Sequence, residues 1–267
     1  MSSVTIHGNT YDNVHGINYV NKSGNSFALR KLILNGNVAW TKPVTYDLVL
    51  ENNTWEQISE AAKSGVASEI WSVGDQKIIT VDGNDYAVDI IGFDHDDVTD
   101  ATTYGRSRAG ITFQMHGLYA TQYTMNDSSD STGGWKDSVM RTSTMAALFG
   151  LLDSDLSNVI VPVNKVTGGG LAGQSEDIVS DSLFLLSDVE IFGNEAYESN
   201  VAEGSQYSYY ASGNPAIKYI PGNVINAWWT RSPRLYNQTS FIRVGTTGAH
   251  NVNGASNKNG VAFAFCV

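Results

Sequence analysis

Gly260-Val261-Ala262-Phe263-Ala264-Phe265-Cys266-Val267 closes the chain, and Trp228-Trp229-Thr230-Arg231-Ser232-Pro233 stands upstream of it. Successive side chains of a strand point to opposite faces, so Val261, Phe263, Phe265 and Val267 share one side and Ala262, Ala264 and Cys266 the other. Both faces are apolar, which predicts a central strand covered on both sides. The 26 residues between the two runs are mostly polar and include Arg234, Tyr236, Asn237, Gln238, Arg243, His250, Asn251, Asn253, Ser256 and Asn257. Polar side chains framed by buried strands are expected to turn outward, because burying each without a partner costs about 1–3 kcal/mol. These ten residues form the candidate ligand-binding set and are expected to line one exposed face. Tyr236 and Arg243 are its expected anchors, since aromatic and Arg side chains usually dominate affinity.

Outward from this frame, the larger domain (46–267) opens with a predicted helix. Thr54 and Gln57 fit a capping box, Trp55, Ile58 and Ala62 share a helical face, and Gly65 is placed to end it. Strands are expected over Lys77–Val81 and Tyr86–Phe93, joined by Asp82-Gly83-Asn84-Asp85. A second helix is expected from near Trp135 towards Leu151, with Trp135, Val139 and Thr142 on one face. Residues 1–45 read as a separate small β module of short strands, with Asn35-Gly36-Asn37 as a hairpin signal and Lys42-Pro43 as the boundary. Periodicity alone yields α+β, mostly β.

Five ordered motifs carry a family resemblance. They are Gly110–Met115, Gly133-Gly134-Trp135-Lys136 with Met140-Arg141, Leu183–Gly193, Trp228–Pro233 and Gly260–Phe263. Over Thr54–Val267 the chain resembles the DUF6273 family, which occurs in gut Firmicutes and their phages. The resemblance implies a C-type-lectin-like fold: two helices on a twisted antiparallel sheet with long loops. Sugar-binding lectins of that fold hold calcium with a Glu-Pro-Asn or Gln-Pro-Asp tripeptide, whereas the one Asn-Pro here, Asn214-Pro215, follows Gly213. Relatives with oxidase chemistry need paired cysteines or His-rich iron motifs. This chain has one cysteine, and His7, His15, His95, His116 and His250 are scattered. The stretch Leu32–Trp40 is similar to short modules of phage tail proteins.

Charged residues make up only 16% of the chain, and turn-forming Gly, Asn, Ser and Thr are plentiful, which favours a loop-rich β protein of extracellular or virion type. A net charge of -11 without a Lys/Arg cluster disfavours nucleic acid as a partner. No apolar run approaches a membrane span, and Met1–Thr5 lacks the basic and apolar regions of a signal peptide. Synthesis in the bacterial cytoplasm and delivery in a virion are the expectation. Cys266, in the closing run, reads as an inert buried thiol.

Chemistry is sparse. Phe93-Asp94-His95-Asp96-Asp97 is the best metal-like cluster, but adjacent strand residues diverge, so it reads as a solvated strand end. Asp127-Ser128-Ser129-Asp130-Ser131 reads as a polar loop, and Gly168-Gly169-Gly170 lacks the Lys of a phosphate loop. Tyr207, Tyr209 and Tyr210 are assigned to packing, and Arg141 and Arg231 to ties between loops and core. No metal, cofactor or catalytic residue is expected. The resulting expectation is a tail-associated phage or prophage receptor-binding protein, with a bacterial surface glycan or protein as ligand and residues 1–45 attaching to tail proteins or forming a homo-oligomer. The five Asn residues among 234–259 suit diversification by a retroelement, because Asn codons begin with two adenines. The alternatives are a glycan-acting enzyme using Asp94, Asp96 or Asp97, and a ligand-free virion decoration protein.

Overall fold

The computed structural model describes six strands within residues 1–41, and then residues 45–169, 177–194 and 203–267. The chain divides into two compact units, Met1–Tyr46 and Asp47–Val267. The first holds three antiparallel hairpins: β1 (Val4–Ile6) with β2 (Asn9–Tyr11), β3 (Ile17–Val20) with β4 (Ser26–Leu29), and β5 (Lys31–Leu34) with β6 (Asn37–Thr41). Leu34 pairs with Asn37 across the Asn35-Gly36 signal.

The second unit begins with helix α1 (Trp55–Ser64). Thr54 accepts from the Gln57 amide while Gln57 reaches back to the Thr54 amide, and Gly65 ends the helix at φ 79°. Trp55, Ile58 and Ala62 are buried, as the helical spacing predicts. The strands β7 (Gln76–Val81) and β8 (Asn84–Phe93) follow, with Val81 opposite Asn84. Asp82 and Gly83 both take positive φ between them, which is the backbone a two-residue hairpin requires. Further on lie β9 (Ile111–Met115), β10 (Val163–Thr167), β11 (Asp177–Asp181), β12 (Lys218–Ile220), β13 (Val224–Asn226), β14 (Trp228–Pro233), β15 (Ser240–Val244), β16 (His250–Gly254) and β17 (Ala264–Cys266).

The principal sheet has the order β17-β9-β8-β7, and β14-β15-β16 form a second, three-stranded sheet. Both are antiparallel, so the unit is α+β. Trp55 of α1 meets Phe113 and Phe265 edge-on at 5.3 and 5.9 Å, which seats the helix on the sheet.

Two expectations need correction. Val261–Val267 is fully buried, but β17 stands at the end of the sheet order rather than at its centre. Its outer edge is closed by isolated bridges from Cys266 to Val161 and from Ala264 to Phe184. The second helix is not one helix. Gly134–Asp137 makes a single turn, Ser138 is extended at φ -66° and ψ 144°, Met140–Met145 is π-helical and Ala146–Phe149 is α-helical. The Ser138 hydroxyl donates to the Trp135 carbonyl and accepts from the Arg141 amide, replacing the backbone bonds that would have carried a helix through. The buried face is Met140, Met145 and Leu148, while Val139 is half-buried and Thr142 exposed.

Candidate functional site

The strand end Phe93–Asp97 leads into the core instead of into solvent. Asp96 is 5% exposed, and its carboxylate accepts from Lys165 Nζ at 2.6 Å, Thr112 Oγ1 at 2.6 Å and Tyr207 Oη at 2.8 Å. Lys165, on β10, also reaches Glu190 Oε1 at 2.7 Å. Glu190 belongs to the short helix Asp188–Phe192, whose capping box is Ser187 with Glu190 itself. Arg231 of β14 grips both oxygens of Glu190 and donates to the Glu203 and Leu185 carbonyls. Burial alone would raise the Asp96 and Glu190 carboxyls. The adjoining Lys165 and Arg231 cations outweigh it, holding Asp96 well below the usual range and lowering Glu190. Glu203 is pushed up by burial.

His95 Nδ1 or Nε2, Asp96 and Glu190 present ligand atoms within 4.8 Å of one another, a spacing compatible with a metal. The Lys165 ammonium already bridges the two carboxylates, where a cation would sit, and Arg231 neutralises the second charge. His95 stacks on Tyr207 at 3.9 Å, and burial lowers its pKa. This network ties the end of β8, β10, the Asp188–Phe192 helix and β14 together. Reading Phe93–Asp97 as a solvated strand end holds only for Asp94 and Asp97, which pair with Arg106 and Arg108. Arg231 is buried and Arg141 is paired with Asp181 at 2.6 Å, so both tie elements together as the sequence suggests. Tyr207 and Tyr210 are buried and Tyr209 half-buried.

The ten candidate ligand residues do not share one face. Residues opposite each other in an antiparallel ladder project from the same side. Arg243 pairs with Asn251 and Phe241 with Asn253, so Arg243, Asn251 and Asn253 lie on one face of the β14-β15-β16 sheet. Val244 pairs with His250, which puts His250 on the other. There His250 is half-buried, bonded to Asp188 at 2.7 Å and packed on Phe192 at 3.7 Å, so it is a structural contact. Arg234, Tyr236, Asn237 and Gln238 lie in the connection between β14 and β15. Tyr236 is 69% exposed with φ 57°, and Asn237 and Gln238 accept from Ser131 through their carbonyls. Ser256 and Asn257 are exposed just after β16, and Asn257 donates to Asn253 at 2.8 Å.

Arg243 gathers a second group of residues. Its Nη1 donates to Asn259 Oδ1 at 2.7 Å, which orients that amide, and Asn259 Nδ2 and Arg243 Nε have no partner among the described residues. Asn259 and Tyr123 exchange backbone hydrogen bonds at 3.1 and 3.0 Å, so their side chains share a face. From Tyr123 a row of rings continues to Tyr119 at 6.3 Å and to Tyr86 at 5.5 Å. Burial and the neighbouring phenols of Tyr123 and Tyr86 push the Tyr119 phenol up, keeping it a neutral hydrogen-bonding group. Tyr119 and Tyr123 stand four residues apart in one segment, but sequence reasoning missed the row because Tyr86 joins it from β8.

The profile of a domain of unknown function, DUF6273, matches residues 109–267. The chain belongs to the DUF6273 family. The matched region holds Lys165, Glu190, Glu203 and Arg231 of the buried network, all five sequence motifs, and the half-buried Tyr123 and Arg243 with the buried Tyr119 and Asn259. It starts later than the resemblance drawn from Thr54, so α1, β7, β8, Tyr86 and Asp96 lie before it. No curated protein and no solved structure matches the chain. Elsewhere on the DUF6273 domain, a groove of about 470 Å³ runs between the π-helical segment, at Arg141, Thr142 and Met145, and Ser180–Leu183. The Arg141 guanidinium in it is fully engaged by Asp181 and the Lys136 and Ser180 carbonyls.

Proposed function

We propose that the chain is a tail-associated receptor-binding protein of a phage or prophage, recognising a bacterial surface glycan through a C-type-lectin-like frame. The observation that carries the reading is the run Tyr86-Tyr119-Tyr123-Asn259-Arg243. The half-buried rings of Tyr86 and Tyr123, with the half-buried Arg243 guanidinium, suit a sugar, whose ring stacks while its hydroxyls take hydrogen bonds. Arg243 of the run sits on β15, paired to β14, whose Arg231 is held by the buried network, so this end of the run is held in place before a ligand arrives. Tyr236, 69% exposed on the connection between β14 and β15, is a further ring open to a ligand.

Residues 1–45 would attach the unit to tail proteins or oligomerise it. That part rests on the similarity of Leu32–Trp40 to phage-tail modules. An enzymatic reading on Asp94, Asp96 and Asp97 is disfavoured, because each carboxylate is already engaged by a cation. The test is adsorption of the fluorescently labelled full chain to Gram-positive gut bacteria. Tyr123→Ala and Tyr236→Ala should reduce adsorption at unchanged melting temperature. Variants that bind like the parent, or adsorption insensitive to enzymatic removal of surface polysaccharide, would remove the support for glycan recognition.

A further inference from the structure

Every one of the 27 Asp and Glu residues of the chain lies at or before Glu203. The stretch Gly204–Val267 carries none, yet it holds Lys218, Arg231, Arg234, Arg243 and Lys258. Lys218 and Arg231 are spent inside the fold, the first on the Met115 and His116 carbonyls and the second on Glu190. Arg243 is different. It is half-buried, and among the described residues no carboxylate lies within ion-pair distance of it. Its pKa is lowered by burial with no acidic neighbour to oppose the shift.

A desolvated guanidinium without a counter-ion is costly, and proteins normally pair it. Here the nearby groups add donors instead. Asn259 Nδ2 and Arg243 Nε are both unpartnered, and Arg243 Nη2 bonds to nothing among the described residues. The one local acidic loop, Asp127–Ser131, packs along Ala255 through the Met125 and Asn126 amides, and its Asp130 carboxylate is turned onto the Thr132 amide. The cluster therefore holds unpartnered donors, of which Arg243 Nε and Asn259 Nδ2 are buried, and lacks an acceptor of matching charge.

We propose that Arg243, braced by Asn259, seats an oxyanion carried on the glycan whose neighbouring rings lie along Tyr123 and Tyr86. This rests on the glycan-binding reading and adds the class of sugar: an acidic one. The guanidinium fork fits two oxygens of a carboxylate or of a phosphodiester.

The experiment measures binding of the full chain to three immobilised probes: polygalacturonate oligomers, glycerol-phosphate teichoic acid, and neutral dextran. One or both anionic probes should bind at least tenfold tighter than dextran, and which of them does so tells carboxylate from phosphodiester. Arg243→Gln should abolish that preference, Arg243→Lys should retain part of it, and both should melt within a few degrees of the parent. Should Arg243→Gln fail to fold, the parent alone still decides, because affinity for the anionic probe must fall as salt rises. Equal binding to all three probes, lost in Tyr123→Ala but not in Arg243→Gln, overturns the acidic-sugar assignment and leaves glycan binding standing. Binding to none overturns both.

Discussion

Lys165 Nζ lies 2.6 Å from Asp96 Oδ1, both side chains almost wholly buried, although the two residues are 69 positions apart in the sequence. In this environment an ion pair is balanced against a large desolvation cost, so removing one partner is worse than removing both. Lys165→Met should destabilise by about 3–5 kcal/mol, because it strands Asp96 beside Glu190. Adding Asp96→Asn should recover part of that loss in chemical denaturation. Equal stability of the single variant and the parent would show that the pair contributes nothing.

Lys218 predicts an alkaline signature. Burial, opposed in part by Asp89, lowers its pKa from 10.5 to about 8, where it donates to the Met115 carbonyl at 2.5 Å. Between about pH 8 and 10.5 the unfolded chain then holds the extra proton, so this residue makes stability rise with pH through that window. Below about pH 8 the buried charge is a constant liability. Subtracting the curve of Lys218→Met from that of the parent should isolate the rise; parallel curves would mean that Lys218 titrates normally.

Phe263 is fully buried in the closing run. Phe263→Ala should cost about 3–5 kcal/mol in urea unfolding. A loss below about 1 kcal/mol would mean that the site collapses around the cavity.

Gly110 marks the close approach of α1 to β9, since a Cβ there would collide with the Ala62 backbone. Gly110→Ala should therefore destabilise by about 1–3 kcal/mol, although alanine usually stiffens a chain favourably. A more stable variant would show that α1 can move.

Because Lys165 occupies the space between Asp96 and Glu190, melting in EDTA and in excess calcium should coincide. A rise of several degrees with calcium would reveal a site elsewhere.

What could be read in advance follows the range of the interactions. The Thr54–Gln57 cap, the Gly65 stop and the Asp82-Gly83 turn are set by neighbours a few residues apart, and the sequence carries them openly. The apolar closing run was legible as buried, but its place at the sheet end was not, because its cover comes from lone bridges at Val161 and Phe184. Likewise, alternation said that adjacent residues of Phe93–Asp97 diverge, yet His95 and Asp96 bring ligand atoms within 4.8 Å of each other. It could not say that Lys165, Glu190 and Arg231 arrive from distant segments to meet Asp96. Arg243 stood out by residue type alone, whereas its partner Asn259 and the place of Tyr86 in the tyrosine row depend on pairings across the fold.

Cys266 pairs with Thr112 across 154 residues of sequence. Loop closure of that length carries its entropic penalty before any contact rewards it, so the principal sheet is assembled late and slowly. During synthesis, β9 emerges with its edge unpaired and waits for most of the remaining chain. Production yield should accordingly respond to slower translation, lower temperature and chaperone supply more than to gains in final stability.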